Sequence, residues 1–311
     1  MAHTVLSQTG ILSLMILLGY ILRKAGYFKA AHADFMTKLV LDIFFPASVF
    51  VSASNDFGGD GGIGRALTVM AVWFVFLLVF FGISYAVASL LPLSRDERLV
   101  FANSVGYPNN GFMGLPLCIA VFGAKGGLWM SLTIPGTTLY IFAVLTMTLQ
   151  RTEEDGHPLS LKSLATPLNI CIPIMLVMIV AGFKISGPLY SACDALGACV
   201  TPVAMLLIGD ILAANPILDA LGRPPVYVVT LLRNIIMPLL VAFLLRFTPW
   251  DREMCLCLVL IAGCSVAASV SIFATRYGRA SAFAGQCMLQ STLLLPVTMP
   301  VVMLFAERIL M

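Results

Sequence analysis

The sequence predicts an all-α integral membrane protein with ten transmembrane helices in two inverted five-helix repeats. Composition is the first basis, because 60% of the 311 residues are hydrophobic and only 11% are charged, whereas soluble domains carry about 25% charged residues. The second is ten apolar segments near the ~20 residues that a bilayer crossing needs. The third is a set of similar features that recur at an offset of 155 to 156 residues.

The apolar segments are joined by short connections that hold turn-forming glycines and prolines. We place segments 1 to 10 at residues 4–22, 36–54, 65–91, 98–122, 127–149, 166–184, 190–213, 225–246, 253–275 and 281–305. Segment 1 lacks the basic flank of a cleavable signal peptide, so we expect it to be retained as a helix. The longest polar stretch, about 150–163, is too short for a soluble domain.

Several function classes are not indicated. The net charge of +3 comes from scattered basic residues, so nucleic-acid binding is not expected. The eight cysteines lie in or near apolar segments without C-x-x-C spacing, and such cysteines usually serve packing. The three histidines lie in tails and loops. We therefore predict no metal site, no cofactor and no enzyme activity, and without a Walker-type phosphate loop ATP-driven pumping is not expected.

The distribution of basic residues predicts the orientation. The loops after segments 1, 3, 5, 7 and 9 hold eleven Lys and Arg, against six on the other side. Because cytoplasmic loops carry the excess of positive charge, the first set is expected in the cytoplasm. Both termini are then expected outside.

Segment 4 contains the strongest local signal. Pro108, Asn109, Asn110 and Gly111 follow one another inside an apolar segment. Proline removes a backbone donor, asparagine competes for backbone hydrogen bonds and glycine adds freedom, so we expect the helix to break. Inside a bilayer such backbone persists only where it is packed in protein or lines a cavity. The stretch therefore predicts a polar site at mid-depth, with a simple kink as the alternative.

The repeat divides the chain into residues 1–155 and 156–311. Residues 95–98 before segment 4 match 250–253 before segment 9, and Phe122-Gly123 matches Tyr277-Gly278. Five segments in each half force opposite orientations, which is the inverted-repeat architecture of transporters with a substrate site near the midplane.

The repeat also predicts a second break in segment 9. Pro108–Gly111 aligns with Gly263–Val266, so Cys264 and Ser265 become candidate site residues. Close helix packing by small residues is the alternative for this stretch. Thr137 in segment 5 is a further candidate for the cavity, although threonine often bonds only its own helix.

We single out three of the charged residues within apolar segments, where charge usually faces a cavity or a partner. Asp42 and Asp210, in segments 2 and 7, are candidates to carry a coupling proton. Arg233 in segment 8 is a candidate contact for an anionic substrate. The alternatives are an ion pair of Arg233 with one aspartate, or aspartates near the lipid headgroups.

Segment 4 resembles the auxin efflux carrier family, whose motif is matched by residues 108–117 and closes with Phe122-Gly123. Weaker matches span nearly the whole chain: Leu39–Pro46, Thr201–Ala204, Met237-Pro238 and Ala274–Gly278. One departure is Ser265, where the family usually has a proline. Another is the lack of a long loop between segments 5 and 6, which favours the short bacterial type.

The resemblance implies a fold related to the bile acid/sodium symporters. Helices 1, 2, 6 and 7 would form a scaffold, and helices 3–5 and 8–10 a moving core in which helices 4 and 9 cross at their breaks. It further implies an inner-membrane homodimer with periplasmic termini, and a carboxylate substrate held by Asn109.

Together these inferences predict a secondary transporter of a small organic anion. Elevator-type alternating access would expose the site where helices 4 and 9 cross, with possible proton coupling through Asp42 or Asp210. The alternative is an uncoupled uniporter or a channel-like pathway for organic acids.

Overall fold

The computed structural model describes residues 2–54, 62–149, 167–214 and 222–311. These ranges are almost entirely helical and contain no strand beyond one isolated bridge. Six stretches within them are long and apolar enough to cross a membrane: Phe35–Ser54, Gly64–Ser89, Asn110–Leu149, Gly187–Ala214, Pro224–Leu245 and Ser281–Ile309. The prediction of an all-α, multi-pass integral membrane protein is confirmed at this level.

The helices follow the order of the apolar segments. In the first half they are α1 (Ala2–Lys24), α2 (Ala30–Leu39), α3 (Phe45–Ser54), α4 (Gly62–Ser89), α5 (Arg95–Gly106), α6 (Leu115–Tyr140) and α7 (Met147–Leu149). In the second half they are α8 (Pro167–Ala181), α9 (Gly187–Ala198), α10 (Val200–Ala214), α11 (Pro224–Leu231), α12 (Met237–Leu245), α13 (Arg252–Ala262), α14 (Ala268–Arg276) and α15 (Ser281–Ile309).

Within the described ranges, four π-helical turns interrupt or extend these helices. They are Val40–Phe44, Asn110–Gly114, Ile141–Thr146 and Leu232–Ile236. Such turns are rare and frequently occur at functional sites. Three of them carry polar residues that the sequence singled out, namely Asp42, Asn110 and Arg233.

Segments 4 and 9 each form two short helices, so neither crosses the membrane as one continuous helix. Segment 4 is divided between α5 and the start of α6, and segment 9 between α13 and α14. The α6 helix bends at Gly123, whose φ of 63° and ψ of −148° are not helical. Segment 5 begins at residue 127, shortly after this bend.

The closest helix packing joins α1 to α10. The α-carbon hydrogen of Gly19 faces the backbone of Leu206, and a methyl group at Gly19 would lie 2.2 Å from the Leu206 carbonyl oxygen. A methyl group at Gly209 would lie 2.1 Å from the Ile16 carbonyl oxygen. Glycines allow backbones in membranes to approach this closely, so two glycines set the distance between these helices.

Ion pairs join the ends of helices from the two halves of the chain. Arg223, just before α11, bonds Glu97 in the first turn of α5 at 2.8 Å. Arg65 in the first turns of α4 bonds Asp251, just before α13, at 2.9 Å. Glu97 also closes a capping box with Ser94, which fixes where α5 begins.

The ion pair between Glu97 and Arg223 should make a pH-dependent contribution to stability. Burial raises the pKa of Glu97, but hydrogen bonds from Arg223 and Ser94 outweigh it, so the pKa lies below its ordinary value of 4.5. A carboxyl with a depressed pKa stabilises the fold above its unfolded-state pKa and loses this contribution as pH falls through the folded-state pKa. Glu97→Gln should therefore lower the unfolding temperature in detergent at neutral pH, and the difference should disappear as pH falls through the folded-state pKa of Glu97, which lies below 4.5.

The matched control for this measurement is Asp251→Asn. Asp251 also pairs with an arginine, but its side chain is 64% exposed, compared with 19% for Glu97. Exposed ion pairs contribute little, so this variant should change the unfolding temperature less. A Glu97→Gln effect that persists unchanged into acid would contradict the assignment.

Candidate functional site

Two broken helices cross deep inside the protein. The backbone is extended at Tyr107 and again at Ala267, and Pro108 forms an antiparallel bridge with Val266. The Asn109 N–H donates to the Ser265 carbonyl at 2.8 Å, and the Ala267 N–H donates to the Tyr107 carbonyl at 3.3 Å. The two polypeptide breaks, hereafter the crossover (residues 107–109 and 263–267), thus satisfy each other's hydrogen bonds.

The first break follows from Pro108, as expected. Proline has no N–H with which to continue the α5 hydrogen-bond ladder. The helix restarts when the Asn109 carbonyl accepts bonds from the N–H groups of Met113 and Gly114, at 3.2 and 3.0 Å. The second of these bonds has π-helical spacing, and α6 follows at Leu115.

The second break occurs without a proline. α13 ends at Ala262 and α14 begins at Ala268. Between them, the Val266 N–H donates to the Ser291 hydroxyl of α15 at 3.0 Å. The Ser265 carbonyl accepts from Asn109 across the crossover. Partners distant in sequence therefore replace the helical bonds, and Ser265 in the family's usual proline position does not restore the helix.

A small cavity adjoins Asn109 at the crossover. Its volume is about 10 Å³. It lies between the crossover, α10 and α15, and its lining residues are Asn109, Phe112, Ile208, Ile211, Leu212, Ala268, Met288 and Thr292. Within the described ranges the Asn109 carboxamide makes no hydrogen bond, although the residue is only 6% exposed. Asn109 therefore presents free polar atoms to a nearly closed, mostly apolar space.

The neighbouring asparagine has a different environment. The Asn110 amide nitrogen donates to the Thr137 hydroxyl oxygen at 2.8 Å and lies 3.4 Å from the Thr133 hydroxyl oxygen. Thr137 also accepts from the Trp73 indole at 3.0 Å. Asn110 and Thr137, both predicted as site residues, thus meet each other inside the protein and do not line the cavity beside Asn109.

Arg233 is fully buried against the crossover. Its two terminal nitrogens donate to the carbonyls of Val105 and Ala262, near or at the ends of α5 and α13. Its guanidinium lies 5.7 Å from the centre of the Phe80 ring. Arg233 does not line the cavity beside Asn109. The ion pair considered between Arg233 and an aspartate is absent from the described residues.

The two aspartates within apolar segments differ in exposure. Asp42 is exposed on the π-helical turn between α2 and α3. Asp210 is buried in α10, with its carboxylate 3.4 Å from Arg23 of α1. Asp210 is adjacent to the cavity-lining Ile211, but it does not itself line the cavity.

The other predicted site residues form the walls of the crossover. Pro108, Cys264 and Ser265 are buried in it, and the Cys264 thiol donates to the Leu260 carbonyl of α13. Gly111 lies in the π-helical turn, where a methyl group would lie 3.7 Å from Leu41. None of these four residues lines the small cavity.

A second cavity, hereafter the outer cavity, has a volume of about 570 Å³. It lies where α3, α9 and α10 face α6, and its lining residues are Ser48, Val51, Ser52, Ile119, Ala124, Tyr190, Asp194, Gly197, Ala198 and Thr201. Half of these residues are polar. The outer cavity lies at the ends of segments 2 and 4 and the beginning of segment 7, which the charge distribution predicts to be on the outer side.

Sequence reasoning missed most of the apolar wall of the small cavity. One helix face of α10 carries three of the wall residues, Ile208, Ile211 and Leu212, which have i, i+3, i+4 spacing. They lie on either side of Asp210 in the sequence, so that candidate residue could have drawn attention to them. Met288 and Thr292 lie one turn apart on α15 and line the same cavity. Nothing local marks Phe112 or Ala268 as cavity residues.

Comparisons with known proteins bear on the family of this chain. A family model described as a membrane transport protein matches residues 4–163 and 156–303. An uncharacterized transporter of Methanocaldococcus jannaschii is 26% identical over 119 residues, which is 37% of this chain and 38% of that relative. The match thus spans well under half the length of that relative. The family model matches almost the whole length of this chain, so the chain belongs to the auxin efflux carrier-like family of membrane transport proteins.

Proposed function

We propose that the chain is a secondary transporter that binds the carboxylate of a small organic anion at the crossover. The crossing of two broken helices beside Asn109 carries this proposal. The turn beginning at Asn110 and the α14 helix beginning at Ala268 both direct their N-terminal ends toward the crossover. Helix N-terminal ends carry partial positive charge and free N–H groups, which suit an anion.

The lining of the small cavity favours a substrate with an apolar body. Of its eight lining residues, only Asn109 and Thr292 are polar, and none is cationic. A second carboxylate placed there would lose its hydration without a compensating partner. A monocarboxylate with an apolar remainder is therefore the substrate class that this lining fits best.

The closed cavity supports alternating access. A volume of about 10 Å³ is close to the minimum for a single water molecule, so no carboxylate fits beside Asn109 in this conformation. Binding requires the crossover to separate from Ile208, Ile211 and Leu212 of α10. In our proposal α1–α3 and α8–α10 form the scaffold, and α4–α7 and α11–α15 form a core that moves in elevator fashion. The same constriction counts against a permanently open, channel-like pathway.

Backbone features support the two inverted repeats, 1–155 and 156–311, as the basis of this motion. Gly26 and Gly182 both have positive φ, at 82° and 64°. Gly123 and Gly278 do also, at 63° and 61°. These pairs lie 156 and 155 residues apart, the offset found in the sequence. We further propose an inner-membrane homodimer with periplasmic termini, on the basis of the charge distribution and the family.

Asp42 is the stronger candidate for proton coupling, because it is exposed and has no ion-pair partner in the described ranges, whereas Asp210 pairs with Arg23. The proposed function is tested by uptake of radiolabelled carboxylates into proteoliposomes, with and without an inward proton gradient. We expect native uptake to rise with the gradient. Asp42→Asn should transport without this dependence, since an amide cannot cycle a proton.

The control in this assay is Asp251→Asn, which alters an exposed pair at a helix end and should keep the gradient dependence. Uptake that is indifferent to the gradient in the native protein would leave an uncoupled uniporter and assign both aspartates structural roles. Failure of every carboxylate in the panel to be taken up would refute the proposed function itself.

A further inference from the structure

The Arg233 guanidinium connects the C-terminal ends of both helices that enter the crossover. One terminal nitrogen bonds the Val105 carbonyl in the last turn of α5, and the other bonds the Ala262 carbonyl at the end of α13. The side chain is 0% exposed. A charge buried this completely is costly unless it is compensated, so the contacts of Arg233 identify what it compensates.

Both contacts are carbonyls at the C-terminal ends of helices, where the electrostatic potential is negative. The C-terminal end of a helix carries about half a negative charge, concentrated on its unpaired carbonyls. The ends of α5 and α13 together therefore present about one negative charge to the single positive charge of Arg233. Within the described ranges Arg233 has no carboxylate partner, so the helix ends are its main counter-charge.

The same reasoning applies on the other side of the crossover. The N-terminal ends at Asn110 and Ala268 together present about one positive charge, which Arg233 does not contact. A single carboxylate would balance this charge. A dianion would leave one charge uncompensated in a cavity whose lining, apart from Asn109 and Thr292, is apolar.

In transporters with broken helices, unwound carbonyls and half-helix C-terminal ends are where Na⁺ or H⁺ is coordinated. Here the equivalent carbonyls already receive hydrogen bonds from the protein. We propose that Arg233 is a fixed counter-cation of the crossover, which takes the place of a bound coupling cation. With this fixed charge present, the site binds a monoanion without bound sodium. This inference rests on the proposed function and assigns Arg233 a positioning role, since it does not touch the cavity.

The native protein provides the first test. Thermal unfolding and carboxylate binding are measured in detergent while NaCl is replaced by choline chloride at constant ionic strength. We expect the unfolding temperature and the affinity for a monocarboxylate to be the same in both salts, and a dicarboxylate of similar size to bind at least roughly tenfold more weakly. Stabilisation or tighter binding with Na⁺ would overturn the inference.

A variant provides the second test. Arg233→Gln should lower monocarboxylate affinity at least roughly tenfold, because two helix ends lose their counter-charge. Added guanidinium chloride at low concentration should restore part of the affinity to Arg233→Gln and none to the native protein. Arg233→Lys should keep more affinity than Arg233→Gln because it keeps the charge. A folded Arg233→Gln with native affinity would overturn the inference.

Thr230→Val is the matched control for local damage. Thr230 is buried one turn earlier and bonds Gln290 at 2.8 Å, with no contact to the crossover carbonyls. Thr230→Val should keep the native affinity for a monocarboxylate, and added guanidinium should not change that affinity. If Arg233→Gln does not fold, the sodium comparison on the native protein decides. If no carboxylate binds, the proposed function fails, while the effect of Na⁺ on native unfolding still decides whether the crossover takes a cation.

Discussion

Replacement of Asn109 by alanine should weaken carboxylate binding roughly ten- to hundredfold while the unfolding temperature stays nearly unchanged. A hydrogen bond to a charged group contributes about 1.5–3 kcal/mol, and 1.4 kcal/mol corresponds to about a factor of ten in affinity. The Asn109 carboxamide makes no hydrogen bond to the described residues, so the fold loses little when it is removed. Radioligand binding and thermal unfolding of the purified variant provide the two readouts.

Asn110→Ala is the matched control, since it removes the same functional group one residue later. Asn110 donates to Thr137, so its loss leaves the buried Thr137 hydroxyl with one partner fewer, whereas the Trp73 indole keeps its bond to Thr137. A hydrogen bond of this kind contributes about 0.5–1.5 kcal/mol. Asn110→Ala should therefore lower the unfolding temperature. Native affinity in Asn109→Ala would remove the central claim about the crossover, whatever the stability of either variant.

Replacement of Gly209 by alanine should destabilise the protein more than any other single methyl group discussed here. The added carbon would lie 2.1 Å from the Ile16 carbonyl oxygen and 2.6 Å from the Tyr20 nitrogen, both of them backbone atoms of α1. Backbone cannot rotate away as a side chain does, so α1 and α10 must separate. Overpacking typically costs about 1–3 kcal/mol and occasionally more. We expect a lowered unfolding temperature and reduced yield of folded protein in detergent.

Gly10→Ala on the same α1 helix controls for the change of residue type. A methyl group at Gly10 would meet nothing within 4 Å. Alanine is preferred over glycine in helices by about 1 kcal/mol, so this variant should be neutral or slightly stabilised. Equal unfolding temperatures for Gly209→Ala and Gly10→Ala would contradict the close packing of α1 on α10.

The two breaks show how far the sequence alone can predict this fold. Pro108 removes a donor locally, so the first break is predictable from the residue itself. No residue between Gly263 and Ala267 has that effect, and the second break was predicted only by aligning the two halves. The structure explains it through Ser291 and Asn109, which lie far away in sequence. Such a break depends on tertiary partners that no local propensity reports.

The candidate site, too, could be predicted only in part from the sequence. Asn109 and Asn110 are chemically identical, but Asn109 lies in the non-helical break, with φ −76° and ψ 69°, and lines the cavity, whereas Asn110 lies in the π-helical turn and bonds Thr137. Arg233 was recognised as a buried charge, but its carbonyl partners on α5 and α13 follow from long-range packing. The cavity wall on α10 is apolar and resembles ordinary core in sequence.

The π-helical turn at Val40–Phe44 also determines how α3 is rotated about its axis relative to α2. Each helical residue rotates the chain by about 100°, and a π-helical turn holds roughly one residue more than an α-helical turn. The extra residue therefore turns α3 relative to α2 and directs Ser48 and Ser52 toward the outer cavity. An unbroken α-helix of the same composition would direct these hydroxyls to a different face. The number of residues between Leu39 and Phe45 thus matters as much as their identity.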